Sequence, residues 1–84
     1  RLRDLALFAV ALDTLLRASD LLALRVADVL EAGGGVRASL AIQQKKTNQV
    51  LPVEISETTR STVARWITEA RKRPEDYLFT GERV

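Results

Sequence analysis

Three consecutive glycines, Gly33, Gly34 and Gly35, divide the chain into two parts with different patterns. Glycine has no Cβ and disfavours the interior of helices and strands, so the triplet predicts a loop. Before it, apolar residues recur at the spacing of amphipathic helices. After it, two stretches alternate as strands do. Because the triplet precedes a predicted strand and lacks a following Lys-Ser or Lys-Thr, we interpret it as a turn and not as a phosphate-binding loop.

The first part predicts two helices. One covers residues 2–16 and is expected to be central and buried. Ser19 is suited to cap a second helix, with Asp20 favourably placed in its first turn, and this helix is expected to run to about Val26. The apolar face predicted for the first helix comprises Leu5, Phe8, Ala9, Leu12 and Leu16.

The second part predicts a β-hairpin. Its strands cover residues 36–43 and 50–55, each with one buried face. The connection, residues 44–49, is wholly polar, and Asn48 tolerates the left-handed conformation that tight connections require. Pro52 favours an edge strand because it has no amide proton to donate.

A third helix follows the hairpin. Ser56 resembles an N-cap, the basic residues 71–73 fall where they complement the helix C-terminus, and Pro74 stops the helix. The apolar face predicted for this helix comprises Val63, Trp66, Ile67 and Ala70.

Together these patterns predict an α+β fold, mainly helical with a small antiparallel β-hairpin or sheet, in the order helix, helix, hairpin, helix. With 84 residues, 46% of them hydrophobic, the chain can form one small domain and not two. It begins at Arg1 without Met, which suggests an excised piece. We therefore expect residues 1–84 to form a single partial domain.

The composition removes several classes of function. The chain has no cysteine and no histidine, so it lacks disulfides, thiolate metal sites and the commonest general bases, and we expect no metal. The absence of cysteine favours an intracellular protein, which we expect in the cytoplasm. The longest apolar run, residues 5–12, is much shorter than the ~20 residues of a membrane span, so we expect no membrane partner. The net charge of +2 permits phosphate binding but decides little.

Arg17 is the first candidate for chemistry. It lies at the start of a predicted helix between apolar Leu16 and Leu21, where an unpaired charge is unfavourable. A phosphate would satisfy it, because the planar guanidinium can donate to two phosphate oxygens and helix N-terminal amides add partial positive charge. Taken alone, an ion pair with Asp13 or Asp20 is the commoner use of such an arginine.

Residues 14–29, TLLRASDLLALRVADV, resemble the first active-site box of the tyrosine recombinase (phage integrase) family. In that family an arginine of this box binds the scissile phosphate of DNA. The resemblance gives that role to Arg17 and places Asp20 where the family usually has a supporting Glu or Asp. Two residues depart from the pattern: Leu15 replaces the usual Gly, and Val26 replaces a common Trp.

Residues 42–53, IQQKKTNQVLPV, are similar to the family's strand pair whose turn carries a catalytic lysine. Lys46 is the best match and Lys45 the fallback, and the implied role is a general acid that protonates the departing 5′ oxygen of DNA. Lys45, Arg37 and Thr47 are then expected to contact DNA. Without the resemblance, two lysines on a turn are more simply explained as residues that keep an exposed hairpin soluble.

A third match lies at the end of the chain. Trp66 and Ile67, followed by residues 76–81 (DYLFTG), resemble the segment that ends a helix in the family. Tyr77 is the only tyrosine, and we expect its ring to pack. It is not expected to be the nucleophile, because the family's nucleophile follows a His-x-x-Arg box that this chain lacks.

The resemblance implies an enzyme that breaks and rejoins DNA through a phosphotyrosine intermediate, with no cofactor and no small-molecule substrate. We expect this chain to be the N-terminal portion of the catalytic domain, inactive alone, within a protein that assembles as an oligomer on double-stranded DNA in a bacterial, archaeal or phage setting. A non-enzymatic DNA-binding module related to recombinases is the alternative, and a helical interaction domain without nucleic acid is a third possibility. In the alternative, the following residues contact phosphates and take no part in catalysis: Arg37, Lys45, Lys46, Arg60 and residues 71–73.

Overall fold

A computed structural model describes residues 1–43 and 47–80 of the chain. Within these described residues, four helices and two strands follow in the order α1, α2, α3, β1, β2, α4. The helices are α1 (Leu2–Thr14), α2 (Ala18–Leu22), α3 (Val26–Val29) and α4 (Glu57–Glu69), and the strands are β1 (Ser39–Gln43) and β2 (Val50–Glu54). This is the predicted α+β fold, helical with one antiparallel hairpin. No helix among the described residues has the length and apolar character needed to cross a bilayer.

The hairpin pairs Ser39 with Glu54 at one end and Gln43 with Val50 at the other. The strands are shorter than predicted, because Val36 pairs only with Leu30 in an isolated bridge and the continuous ladder starts at Ser39. Leu40 and Ile42 point into the core, so the predicted alternation of β1 is confirmed. The buried face predicted for β2 is wrong within the strand itself, where Val53 is half-buried and the other residues are exposed.

Two turn predictions are confirmed by backbone geometry. Asn48 has a φ of 58°, in the left-handed region, and Gly34 has a φ of 102° that suits glycine. The amide of Gly34 donates to the carbonyl of Glu31 at 2.9 Å, and the amide of Glu31 donates to the carbonyl of Gly35 at 2.7 Å. The glycine triplet therefore forms a tight turn, and not a phosphate loop.

The face that α1 buries differs from the predicted one. Ala6 and Val10 are buried, whereas Leu5, Phe8 and Leu12 are 61%, 64% and 60% exposed. Apolar residues occur nearly all the way round this helix, so their spacing did not single out one face. The small side chains of Ala6 and Val10 face the core and allow α1 and α4 to pack together.

The second predicted helix is two one-turn helices. Arg17, and not Ser19, is the N-cap residue of α2, which ends at Leu22. Arg25 is extended (φ −102°, ψ 158°) and forms an antiparallel bridge with Tyr77. The carbonyl of Leu24 accepts from the amide of Leu78 at 2.9 Å. Pairing with this distant segment replaces the continuous helix that local sequence predicted.

The third predicted helix is α4. The hydroxyl oxygen of Ser56 accepts from the amide of Thr59 at 3.2 Å, which confirms the N-cap. Its basic residues lie beyond the last turn rather than within it, because Arg71 turns the chain with a φ of 54°.

One core joins the helices, the hairpin and the C-terminal segment. The indole nitrogen of Trp66 donates to the carbonyl of Leu78 at 2.7 Å inside this core. The buried apolar residues are Ala6, Val10, Leu21, Val26, Val29, Leu40, Ile42, Ile55, Val63, Trp66, Leu78 and Phe79.

Candidate functional site

The turn between α1 and α2 presents Arg17. Leu15 adopts the left-handed conformation (φ 58°, ψ 25°), and its side chain is 85% exposed. The hydroxyl of Thr14 donates to the carbonyl of Val10 at 2.8 Å and accepts from the amide of Leu16 at 3.3 Å. Leu15 stands where the resemblance places a glycine, which adopts this conformation without the steric cost of a Cβ.

Arg17 is exposed and extended (φ −74°, ψ 162°) at the N-cap position of α2. Its carbonyl accepts from the amide of Leu21 at 2.9 Å. Across residues 1–43 and 47–80, no hydrogen bond or ion pair engages its guanidinium group. Because α2 has only five residues, fewer aligned peptide dipoles support an anion here than a long helix would supply.

Asp13, one of the two partners considered for Arg17, bonds elsewhere. Its carboxylate accepts from the backbone amide of Ser56 at 2.9 Å, which joins the end of α1 to the start of α4. This backbone hydrogen bond, helped by side-chain hydrogen bonds from Thr59 and Ser56, holds the pKa of Asp13 below its ordinary value against the opposing effect of desolvation.

A groove of about 680 Å³ separates the α2–α3 region from the outer face of the hairpin. Asp20 and Asp28 lie on its helical side, and Arg37 lies on its hairpin side. Arg17 is not one of the lining residues, although its neighbour Leu16 is. The lining comprises Leu16, Asp20, Ala23, Leu24, Ala27, Asp28, Arg37, Ser39, Ala41, Ile42, Gln43 and Pro52.

The end of the hairpin lies beside this groove. Gln43 lines the groove, and its side-chain nitrogen donates to the side-chain oxygen of Asn48 at 2.6 Å. Thr47 is exposed, and its hydroxyl oxygen accepts from the amide of Gln49 at 3.4 Å. The predicted catalytic Lys46 and its fallback Lys45 lie outside the described residues.

Sequence reasoning missed the role of Arg25. Its guanidinium group donates to the carbonyl of Glu75 at 2.8 Å and to the hydroxyl of Tyr77 at 3.0 Å. The same group lies 4.1 Å from the centre of the Tyr77 ring. Tyr77 therefore packs against Arg25 and stays 42% exposed. No local signal could reveal this contact, because the partners are 50 and 52 residues away in the chain.

Several of the basic residues expected to contact phosphates in the non-enzymatic alternative have hydrogen-bond or ion-pair partners within the protein. Lys72 donates to the hydroxyl of Thr80 at 2.6 Å, and Arg73 forms ion pairs with Glu75 and Asp76 at 3.4 and 3.9 Å. The Nε atom of Arg60 is buried, with no hydrogen-bond partner in the part of the chain described. Within that same part, no group of three or more acidic side chains is arranged to hold a metal ion.

The family model described as "Phage integrase family" matches residues 1–84, the whole length of the chain. The chain belongs to the phage integrase family. A search of curated proteins found no significant match. Membership of the phage integrase family makes this a domain related to site-specific recombinases, and DNA is the general partner of such domains.

Proposed function

We propose that this chain is the part of a tyrosine recombinase catalytic domain that binds the scissile phosphate of DNA. Arg17 binds the phosphate, Lys46 is the general acid, and Asp20 supports them. Lys45, Arg37 and Thr47 contact the DNA backbone around the cleavage site. The complete protein acts as an oligomer on double-stranded DNA in the cytoplasm of its bacterial, archaeal or phage-infected host.

The exposure of Arg17 at the turn before α2 is the observation that supports this proposal most directly. Its guanidinium is exposed at a fixed turn and has no bonding partner among the described residues. A planar guanidinium so placed can donate two parallel hydrogen bonds to phosphate oxygens. The family match covers this turn, which supports a phosphate of DNA as the anion that Arg17 binds.

The proposed reaction is a reversible transesterification. A tyrosine hydroxyl gives up its proton to solvent as its oxygen attacks phosphorus, the bond from phosphorus to the 5′ oxygen breaks, and a 3′-phosphotyrosyl link forms. Lys46 gives its proton to the departing 5′ oxygen, and Arg17 stabilises negative charge on the non-bridging oxygens. Attack by a 5′ hydroxyl reverses the step and releases the tyrosine.

The nucleophile in this proposal comes from outside the 84 residues. Tyr77 is the only tyrosine of the chain, and its hydroxyl already accepts a hydrogen bond from Arg25 at 3.0 Å. A phenol held in this way stabilises the fold. The chain also contains no histidine, so the His-x-x-Arg groups must likewise be supplied from elsewhere in the protein.

Replacement of Arg17 by alanine tests the proposal. In the complete protein we expect Arg17→Ala to slow formation of a covalent protein–DNA adduct on a nicked substrate by about 10²- to 10³-fold, the usual cost of losing one preorganised donor. DNA affinity at fixed salt should change little, because other phosphate contacts remain.

Two controls accompany this experiment. Residues 1–84 alone should give no adduct, because they lack the nucleophile. An unchanged adduct rate in Arg17→Ala would contradict the proposal. A wild-type protein that binds DNA with a steep salt dependence but never forms an adduct would favour the non-enzymatic DNA-binding module.

A further inference from the structure

The hydroxyl of Thr14 takes part in two hydrogen bonds at the end of α1. It donates to the carbonyl of Val10 at 2.8 Å, one turn earlier, and accepts from the amide of Leu16 at 3.3 Å, two residues later. The side chain is half-buried, so water competes less for these bonds than at a fully exposed site. One hydroxyl therefore links the last turn of the helix to the connection that follows it.

The amide of Leu16 depends on this hydroxyl. The helix itself ends with the bond from the amide of Leu15 to the carbonyl of Ala11 at 2.8 Å, a common way to close a helix at a left-handed residue. That bond leaves the next amide, that of Leu16, without a helical carbonyl. In the described part of the chain, the Thr14 hydroxyl is the acceptor for this amide, and no backbone carbonyl takes that place.

Arg17 follows directly, and its backbone is held on both sides. Its carbonyl accepts from the amide of Leu21 at 2.9 Å, which fixes it to α2, while Thr14 holds the amide of the preceding residue. Its guanidinium group has no hydrogen-bond or ion-pair partner among the residues described, so such contacts do not set its direction there. The position of this guanidinium therefore depends mainly on where the backbone places the Cα atom.

From this geometry we infer that Thr14 is a positioning residue for Arg17: its hydroxyl fixes the Leu16 amide and thereby the backbone from which the guanidinium reaches the scissile phosphate. The inference rests on the proposed role of Arg17. Charge stabilisation in a transition state depends on donors that are already held in place. Loosening the backbone beside Arg17 should therefore slow cleavage more than it weakens DNA binding.

Thr62 on α4 provides a matched control. Its hydroxyl donates to the carbonyl of Thr58 at 2.9 Å, again one turn earlier. It differs from Thr14 because it lies inside a helix, and no amide of the described residues donates to it. Replacement of Thr62 by valine removes the same kind of helical bond without changing the turn before Arg17.

The test compares two nicked DNA substrates in the complete protein. One has the natural scissile phosphate, and in the other a methyl group replaces one non-bridging oxygen. The methylphosphonate is neutral, so its transition state carries less negative charge for a guanidinium to stabilise. Loss or displacement of Arg17 therefore slows cleavage of the phosphate substrate and largely spares the methylphosphonate.

We expect Thr14→Val and Thr14→Ala each to slow cleavage of the phosphate substrate by about 10- to 100-fold, up to the cost of a displacement of about 1 Å. Cleavage of the methylphosphonate should remain near the wild-type rate. Alanine favours helices, which keeps α1 intact in the second variant. Thr14→Ser keeps the hydroxyl and should retain most of the rate, and Thr62→Val should cleave both substrates like the wild type.

Combination with Arg17→Ala tests whether Thr14 acts through Arg17. The double variant with Thr14→Ala and Arg17→Ala should cleave the phosphate substrate no more slowly than Arg17→Ala alone, because the group that would be displaced is already absent. A loss in the double variant that multiplies the two single losses would overturn the positioning role.

Arg17→Ala also separates the inference from the proposed function. If Arg17→Ala shows the phosphate-specific loss but both Thr14 variants cleave both substrates at the wild-type rate, the positioning role is wrong and the proposed function stands. A loss in the Thr14 variants that is equal for both substrates also overturns the positioning role, as does a phosphate-specific loss in Thr62→Val. If Arg17→Ala cleaves both substrates like the wild type, the proposed role of Arg17 and the inference built on it fail together.

Discussion

Arg17 and Arg25 lie eight residues apart in nearly the same local setting. Both are extended N-cap residues, with φ and ψ of −74° and 162° for Arg17 and −102° and 158° for Arg25, and each precedes a short helix. The two guanidinium groups differ in their hydrogen-bond partners. That of Arg25 bonds to Glu75 and Tyr77, whereas that of Arg17 has no such partner among the residues described.

The difference comes from a distant segment that packs against one of the two arginines. Residues 75–78 pass over Arg25 and supply a carbonyl, a hydroxyl and an aromatic ring. A similar local setting therefore gives a structural arginine at Arg25, where a distant segment packs, and an available cation at Arg17, against which no distant segment of residues 1–43 and 47–80 forms a hydrogen bond or ion pair. Substitutions at the two positions should affect different properties of the protein.

The largest expected change in stability follows removal of Arg25. Arg25→Ala loses two hydrogen bonds from a charged donor and a cation–π contact, and we expect the free energy of unfolding to fall by about 1–2 kcal/mol, a range reduced for the exposure of the site. Tyr77→Phe keeps the ring and removes only the hydroxyl, so its cost should be smaller. Urea denaturation measures both.

Arg17→Ala is the matched control for that measurement. We expect its free energy of unfolding to stay within about 0.5 kcal/mol of the wild-type value, as for surface substitutions without partners. Equal destabilisation by Arg17→Ala and Arg25→Ala would remove the distinction between an available and a structural arginine.

A smaller effect, of opposite sign, is expected at Leu15. Its left-handed backbone is unfavourable for a residue with a Cβ, and its side chain is 85% exposed, so little packing is lost on replacement. We expect Leu15→Gly to raise the melting temperature, with a gain of about 0.5–1 kcal/mol after the added entropy of the unfolded chain is subtracted.

Leu12→Gly is the control for the Leu15 substitution. Leu12 is similarly exposed, at 60%, but lies inside α1. The same chemical change should there cost about 1 kcal/mol, because glycine is unfavourable in a helix interior. Destabilisation by both substitutions would show that the turn before Arg17 is not strained.

The smallest effect is expected from the titration of Asp13. The hydrogen bond from the Ser56 amide lowers the folded-state pKa of Asp13 below its ordinary value of 3.8. The carboxylate therefore stabilises the fold above pH 3.8, and this contribution is lost as the pH falls through the lower folded-state pKa. Asp13→Asn should show a shallower loss of stability below about pH 4 than the wild type. Parallel curves for the two proteins would contradict this coupling of α1 to α4.

Local signals predicted much of the fold. Ser56 and Asn48 behave as predicted because a cap and a left-handed turn depend on a few neighbouring residues. The prediction of the buried face of α1 was wrong because an almost wholly apolar helix has no distinctive face. The predicted length of α2 was wrong because the helix ends before the bridge between Arg25 and Tyr77, and local sequence does not indicate a contact across 52 residues.

The candidate site was predicted less completely than the fold. Arg17 and Lys46 were identified by resemblance to family motifs, and their roles remain proposals. Arg25, Gln43 and the groove could not be predicted, because they depend on how the hairpin and the C-terminal segment pack against the helices. Such non-local contacts leave no periodic pattern in the sequence.

The bond from Trp66 to the Leu78 carbonyl gives the chain a spectroscopic reporter. Trp66 is the only tryptophan, and its indole is enclosed by the segment that also covers Arg25. Detachment of that segment would hydrate the indole and shift its fluorescence emission to longer wavelength. Docking of the C-terminal segment can therefore be followed in real time, without any label, by exciting one residue.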